Sequence, residues 1–263
     1  MSGAPYCVGY RTEPIVDAAS GLVHMGLDVC VLDPAGAVTS HFHSYEVGFY
    51  VLAGRVLGRF GERAYDLGPG DYAVLPSGII IAWHNVGAEG ARWWQLSAPQ
   101  PKPAGGDTFF LRHGSAPDTG GPLDGSFGGH FDASQVPTDP AAHDNTRKGV
   151  FSKPILSGTH QEASYLDYSP GAFIAPHDHP FEISNYVLSG ALRATVGGRE
   201  RLVKAGEALV AAVGVVHSAA NAGDEPARFI ETYVPRKPAA EAARYVESWQ
   251  QRARDLDAEE CPP

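Results

Sequence analysis

Residues 41–54 and 177–190 spell one pattern twice. His41-Phe-His43-Ser-Tyr-Glu46 leads into Tyr50-Val-Leu-Ala-Gly54, and His177-Asp-His179-Pro-Phe-Glu182 leads into Tyr186-Val-Leu-Ser-Gly190. Each landmark returns 136 positions later (177 − 41, 182 − 46 and 190 − 54 agree). The register holds without a gap through Gly70 and Gly206, Gly78 and Gly214, Asn85 and Asn221, and Pro99 and Pro235. A self-match of this length marks two copies of one folding unit. The 263 residues therefore divide into two similar domains, each large enough to close a core of its own.

The runs between landmarks are short and apolar, at 29–32, 47–52, 56–60, 72–75 and 93–96. Turn-forming clusters separate them, among them Asp33-Pro-Ala-Gly36, Gly61-Glu62 and Gly68-Pro-Gly70. The second copy has its own at Ser169-Pro170-Gly171 and Gly197-Gly198. Strands of this length and spacing predict antiparallel all-β architecture, a barrel or a sandwich, in each copy. The expected layout is an N-terminal barrel over 1–102, crossover and linker loops over 103–147, a C-terminal barrel over 148–236, and a helix with a tail over 237–263. The crossover is Gly-, Pro- and Asp-rich, yet Phe109, Phe110, Phe127 and Phe131 predict that it is structured, since aromatics are scarce in disordered tethers. After Pro238, Tyr245, Val246, Trp249, Ala253 and Leu256 fall on one stripe at helical spacing. Such a helix packs its stripe on a barrel or on a second subunit, which makes a homo-oligomer one expectation.

A formal charge of −10 and a pI near 5.5 argue against nucleic acid and against an anionic membrane as partners. Cys7, Cys30 and Cys261 are widely spaced and lack metal-type spacing, so a reducing cytoplasm is expected. No apolar run approaches membrane-spanning length. The expected partner is a small molecule.

Two histidines at i and i+2 place both imidazoles on one face of a strand. His177 and His179 are such a pair, and His217 arrives later, across the barrel if the strands pair as the turns imply. Three converging imidazoles suit Fe2+, Mn2+, Ni2+, Zn2+ or Cu2+. The alternative, ordinary core histidines, requires three buried imidazoles that each find a partner. Phe173, Phe181, Tyr186, Phe229 and Tyr233 line the barrel in some combination, which favours an aromatic or otherwise apolar substrate.

These residues resemble the two motifs of the cupins, Gly-x5-His-x-His-x3–4-Glu-x6-Gly and then Gly-x5-Pro-x-Gly-x2-His-x3-Asn. In the second copy Gly171, His177 and His179 fit the first motif, and Gly206, Gly214, His217 and Asn221 fit the second, with Ala212 in place of proline. In the first copy Gly70, Pro76, Gly78 and Asn85 also fit. The resemblance covers both repeats and implies a bicupin: two antiparallel, jelly-roll-like β-barrels in one chain, each able to hold a metal.

Two departures qualify it. Ile81 stands at the third-histidine position of the first copy, and His84 lies three residues on, facing the other way in a regular strand. Both glutamates come early, with two residues after the second histidine where the family has three or four. By strict alternation Glu182 faces away from the histidines, although a bulge at Pro180 could turn it back. The resemblance thus implies a metal at His177, His179 and His217, with Glu182 as fourth ligand and catalytic group if it turns inward. It implies a weaker second site at His41, His43 and Glu46. The expected function is a metal-dependent bicupin enzyme, an Fe(II)-type dioxygenase acting on a small aromatic or enolisable substrate. The alternatives are a redox-neutral cyclase or isomerase of cupin type and a non-catalytic small-molecule-binding bicupin.

Overall fold

A computed structural model describes residues 6–17, 19–102, 106–133, 136, 146–240 and 242–246. The chain divides into two compact units. One comprises residues 1–135 with 154–163 and 234–236, the other 136–153 with 164–233 and 237–263.

The first sheet is built from β1 (Cys7–Val16), β2 (Gly26–His43), β3 (Glu46–Ala53), β4 (Val56–Phe60), β5 (Arg63–Leu67), β6 (Asp71–Leu75), β7 (Ile81–His84), β8 (Ala91–Ala98), β9 (Thr108–Phe110) and β10 (Gly128–His130). Its main path runs β10-β6-β3-β8-β2-β7-β4-β5, with β1 and β9 also on β2. The long β2 is the hub. Its start pairs with β8 and its end, carrying the first histidine pair, pairs with β7 and β9. The expected crossover supplies β9 and β10, so its described aromatics are tied down: Phe109 stacks on Phe42 with ring centroids 5.0 Å apart. At the centre Trp83 stacks on Trp93 at 4.8 Å and Phe49 meets Trp83 edge-on at 5.3 Å, pairs worth about 0.5–1.5 kcal/mol each beyond the area they bury.

The second sheet comprises β11 (Arg147–Ser157), β12 (Glu162–Asp178), β13 (Glu182–Ser189), β14 (Ala191–Val196), β15 (Arg199–Lys204), β16 (Ala208–Ala211), β17 (His217–Asn221), β18 (Ala227–Val234) and β19 (Arg244–Tyr245). It runs β15-β14-β17-β12-β18-β13-β16, with β11 and β19 on β12. Both units are antiparallel β-barrels of the expected class. Of the helix and tail predicted over 237–263, the described residues 237–240 and 242–245 are not helical, whereas Val246, the last described, is. Arg244–Tyr245 is a strand on β12, with Tyr245 opposite His177 and Arg244 opposite Asp178. A forked pair holds it there, Arg244 Nε and Nη2 donating to the Asp178 carboxylate at 2.7 and 3.1 Å. Tertiary pairing overrides local helix preference. Trp249, Ala253 and Leu256 lie outside the described residues.

The two units are punctuated by the same chemistry. Asn85 Nδ2 donates to the carbonyls of Leu32 and Glu89 at 3.0 and 2.7 Å, while its Oδ1 accepts from Gly87 N at 2.9 Å. Asn221 makes the same three bonds with Tyr168, Glu225 and Gly223 at 2.9, 2.8 and 2.9 Å. An amide fits because it alone offers two donors and an acceptor on one short arm. The Ala98-Pro99 and Val234-Pro235 peptide bonds, at equivalent positions, are both cis.

Candidate metal centre

The end of β12 and the start of β17 bring the three C-terminal histidines together. His177 lies opposite His217 in the ladder, just beyond an irregularity that follows Ile174. The loop before β17 is fastened to the other strand by Gly214 N, which donates to the His179 carbonyl at 2.9 Å. Gly214 adopts φ 73°, a conformation that a side chain would strain. The ring centroids stand 4.7 Å (His177 to His179), 4.4 Å (His177 to His217) and 5.0 Å (His179 to His217) apart.

All three rings are buried, and each Nδ1 meets a backbone carbonyl: Ala175 O at 2.7 Å for His177, Ala242 O at 2.6 Å for His179 and Val215 O at 2.9 Å for His217. A carbonyl only accepts, so each Nδ1 carries the proton and each neutral ring keeps its Nε2 lone pair bare. Burial, then the neighbouring His217, pushes His177 down to about 3. Burial likewise takes His179 to about 4 and lowers His217. The rings are therefore neutral at physiological pH. One potential ligand atom from each lies within 4.8 Å of the others. His217 Nε2 is buried with no hydrogen-bond partner among the described residues. A buried, unsatisfied nitrogen costs about 1–3 kcal/mol, and a metal ion removes that cost. The donor set fits a divalent transition metal, with outer bonds of the kind that orient metal-binding imidazoles. Phe181 stacks on the His179 ring at 4.6 Å, and the Tyr245 ring stands 5.3 Å from His177.

Glu182, the first residue of β13, is buried at 1% exposure, but it is not among the side chains whose ligand atoms gather. In the first unit His41 lies opposite Ile81, as His177 lies opposite His217, so the expected third-histidine position holds isoleucine. His41 donates from Nδ1 to Thr39 O at 2.8 Å, and His43 Nδ1 meets Thr108 Oγ1 at 2.9 Å. His84 is turned to the carbonyl of Pro117 at 2.8 Å. The Glu46 carboxylate accepts from Thr159 N at 2.8 Å and His160 N at 3.3 Å, which both belong to the first unit. A Cβ on Gly158 would collide with that carboxylate. Glu46 is thus engaged as a fastener for a distant strand end. Glu46→Ala is expected to cost about 2–3 kcal/mol, the worth of charge-assisted bonds to backbone amides, and to leave metal content unchanged. Thermal unfolding beside elemental analysis checks both parts, and a folded variant short of one metal would make Glu46 a ligand.

Sequence reasoning missed a polar group on β18. Tyr233 Oη donates to Glu231 Oε2 at 2.6 Å, and the Asn185 amide, nitrogen turned inward, donates to Oε1 at 3.2 Å. Burial raises the Glu231 carboxyl above its usual range against these two bonds and the Lys237 charge. Tyr233 meets Phe181 edge-on at 5.6 Å, and Phe181 in turn covers His179, which links the carboxyl to the histidine cluster through packed rings.

Comparison with known proteins agrees with this architecture. A cupin-domain family model matches residues 28–98 and 164–233, more than half of the chain. Among solved structures, a tryptophan-to-tyrosine variant of Bacillus subtilis oxalate decarboxylase superposes with a TM-score of 0.65 at 17% identity, covering 96% of this chain and 80% of that one. The Lactobacillus farciminis oxalate decarboxylase–formate complex gives 0.64 at 17% identity, covering 97% and 92%. A serine-to-alanine variant of the Bacillus enzyme gives 0.65 at 19% identity, covering 94% and 79%. No curated protein matches the chain.

Proposed function

The chain belongs to the cupin family, with two cupin domains in one polypeptide, and from that premise we propose that its C-terminal barrel is the active centre of a metal-dependent enzyme acting on a small molecule. The observation that carries this is the set of three neutral imidazoles with their Nδ1 atoms fixed and a bare, buried His217 Nε2. His177, His179 and His217 hold the metal through Nε2. When bound, a divalent transition metal supplies Lewis acidity toward a substrate carbonyl or carboxylate and, as Fe2+, the capacity to engage O2.

Of the reaction classes open to such a centre, the redox-neutral one has a specific structural support. Glu231 supplies a candidate acid–base group that reaches the histidine cluster through the packed rings of Tyr233 and Phe181. Its carboxyl, raised by burial, accepts a proton from an enolisable substrate, while Tyr233 and Asn185 hold it in place. Phe181 and Tyr245 exclude water from the imidazoles they cover. Cys7 and Cys30 are free thiols, which supports a reducing compartment. Among the described residues no helix is long and apolar enough to cross a membrane.

Elemental analysis combined with an oxygen electrode and deuterium exchange tests this reading. Small enolisable acids and carbonyl compounds are the substrates, with oxalate, the substrate named for the structural neighbours, in the same panel. The expected result is bound Fe, Mn, Ni, Zn or Cu, with exchange or conversion that proceeds without oxygen uptake. Oxygen consumption coupled to product would restore the Fe(II)-type dioxygenase reading. Purified protein that holds no transition metal and gains none on dialysis would leave a binding protein.

A further inference from the structure

We infer that the N-terminal barrel is a second ligand site, built for a small organic cation (an ammonium, amidinium or guanidinium) that pairs with Asp28. This inference does not depend on the C-terminal metal centre. The barrel encloses a cavity of about 250 Å³, and the residues lining it include Asp28, Tyr10, Tyr45, Trp83, Gln95 and Ile81. Ile81 removes the third imidazole, and among the described residues only the C-terminal trio brings three potential ligand atoms together. The space that a metal and its ligands would need is therefore left as an organic pocket.

The charge and polarity of the lining select the ligand. Asp28 is a carboxylate at a position where the other copy has Ser164, and no lysine or arginine is among the described lining residues. Burial, with the negative charge of Asp17 adding to it, holds the Asp28 carboxyl up at about 6. A carboxylate placed in a pocket without a countercharge is costly unless a partner arrives. Two of the hydrogen-bonding groups that line the cavity have their donors already committed. Tyr10 donates its hydroxyl proton to Cys30 Sγ at 3.3 Å, and His41 donates its Nδ1 proton to Thr39 O, which leaves oxygen and Nε2 lone pairs as acceptors. Gln95 Oε1 accepts from Trp93 Nε1 at 3.2 Å and so fixes that amide beside the pocket. The Tyr10 and His41 acceptors near an anion favour a ligand that carries N–H groups. The rings of Tyr10, Tyr45 and Trp83 add π-faces that attract cations. The volume lies just under the range of pockets for drug-sized ligands, so the occupant has roughly ten non-hydrogen atoms.

Calorimetric titration of the full-length metal-loaded protein tests this with benzamidinium, methylguanidinium and phenethylammonium, against benzamide as a neutral probe of the same shape as benzamidinium. At pH 8 at least one cation is expected to bind about tenfold or more tightly than benzamide. Asp28→Asn keeps the shape and removes the charge, and it is expected to bring benzamidinium to within about twofold of benzamide. Circular dichroism confirms that this variant is folded, as expected for the loss of an uncompensated charge. The inference is overturned if no cation outbinds benzamide, or if Asp28→Asn keeps the preference. It is overturned equally if Zn2+ added to the His177→Ala protein occupies His41 and His43 and displaces the probes.

Discussion

His177→Ala protein is expected to come off the column folded and without its transition metal, with affinity for added Zn2+ or Mn2+ down by well over 100-fold. The size follows from comparison: disturbing an outer partner of a metal-bound histidine costs about 10–100-fold, and removing a ligand from a set of three costs more. The fold survives because the ring sits at the end of β12, where the backbone pairs with His217 and Tyr245 remain available. Elemental analysis after dialysis against the metal reads the outcome, and unchanged metal content would remove the C-terminal centre from consideration. Acid has a related effect on the metal-free protein. His177 and His179 are held down to about 3 and 4, so between those values and 6.5 the unfolded chain binds protons that the folded chain refuses. Stability is therefore full above about pH 6.5 and falls as pH drops through that window. A bound metal steepens the fall, because it too requires neutral rings. The reciprocal substitution gains a function: Ile81→His places a third imidazole opposite His41 and is expected to raise metal content above that of the natural chain.

The repeat made the fold readable because what the copies share is backbone chemistry. Asn85 and Asn221 make the same three bonds, and Gly78 and Gly214 donate to the carbonyls of His43 and His179 at 2.8 and 2.9 Å. The same offset placed Ile81 where His217 stands, and the ladders have that register. Other features were hidden for physical reasons. Glu46 spends its carboxylate on amides 113 and 114 positions away, a partnership that no local pattern records. Tyr245 lay on a convincing helical stripe, yet its pairing with His177 depends on a strand far back in the chain. Glu231 and Tyr233 stand where the first copy has Gln95 and Ser97, and Asp28 stands where the second has Ser164. A search for what two copies share passes over such positions. The proposed chemistry joins a histidine pair that both copies carry to residues in which they differ, His217 and Glu231 in one and Asp28 in the other.

Glu231→Gln tests that view where it has the most to lose. If the carboxyl moves a proton, the amide is expected to lower kcat by about 10²–10⁴-fold, the usual worth of a positioned acid or base, while metal content and unfolding temperature stay close to those of the parent. Glutamine keeps an oxygen for the Tyr233 hydroxyl, so the packing around Phe181 is preserved. The neighbours add a signature that a structural role would not give. As a base Glu231 must be ionised, so the rate falls as pH drops through its raised pKa. Tyr233 and Asn185 donate to the ionised form and hold that value down against burial, and Lys237, whose Nζ lies 3.8 Å from the Tyr233 ring centroid, does so by its charge. Tyr233→Phe removes one donor without removing the base, so the acid limb of the pH–rate profile is expected to move to higher pH with the plateau less affected. Lys237→Met is expected to move it the same way by a smaller step, because that charge lies outside the hydrogen-bonded pair. A Glu231→Gln protein that turns over like the parent, or a Tyr233→Phe profile that stays in place, would return the carboxyl to a packing role and leave the metal as the only catalytic group of the barrel.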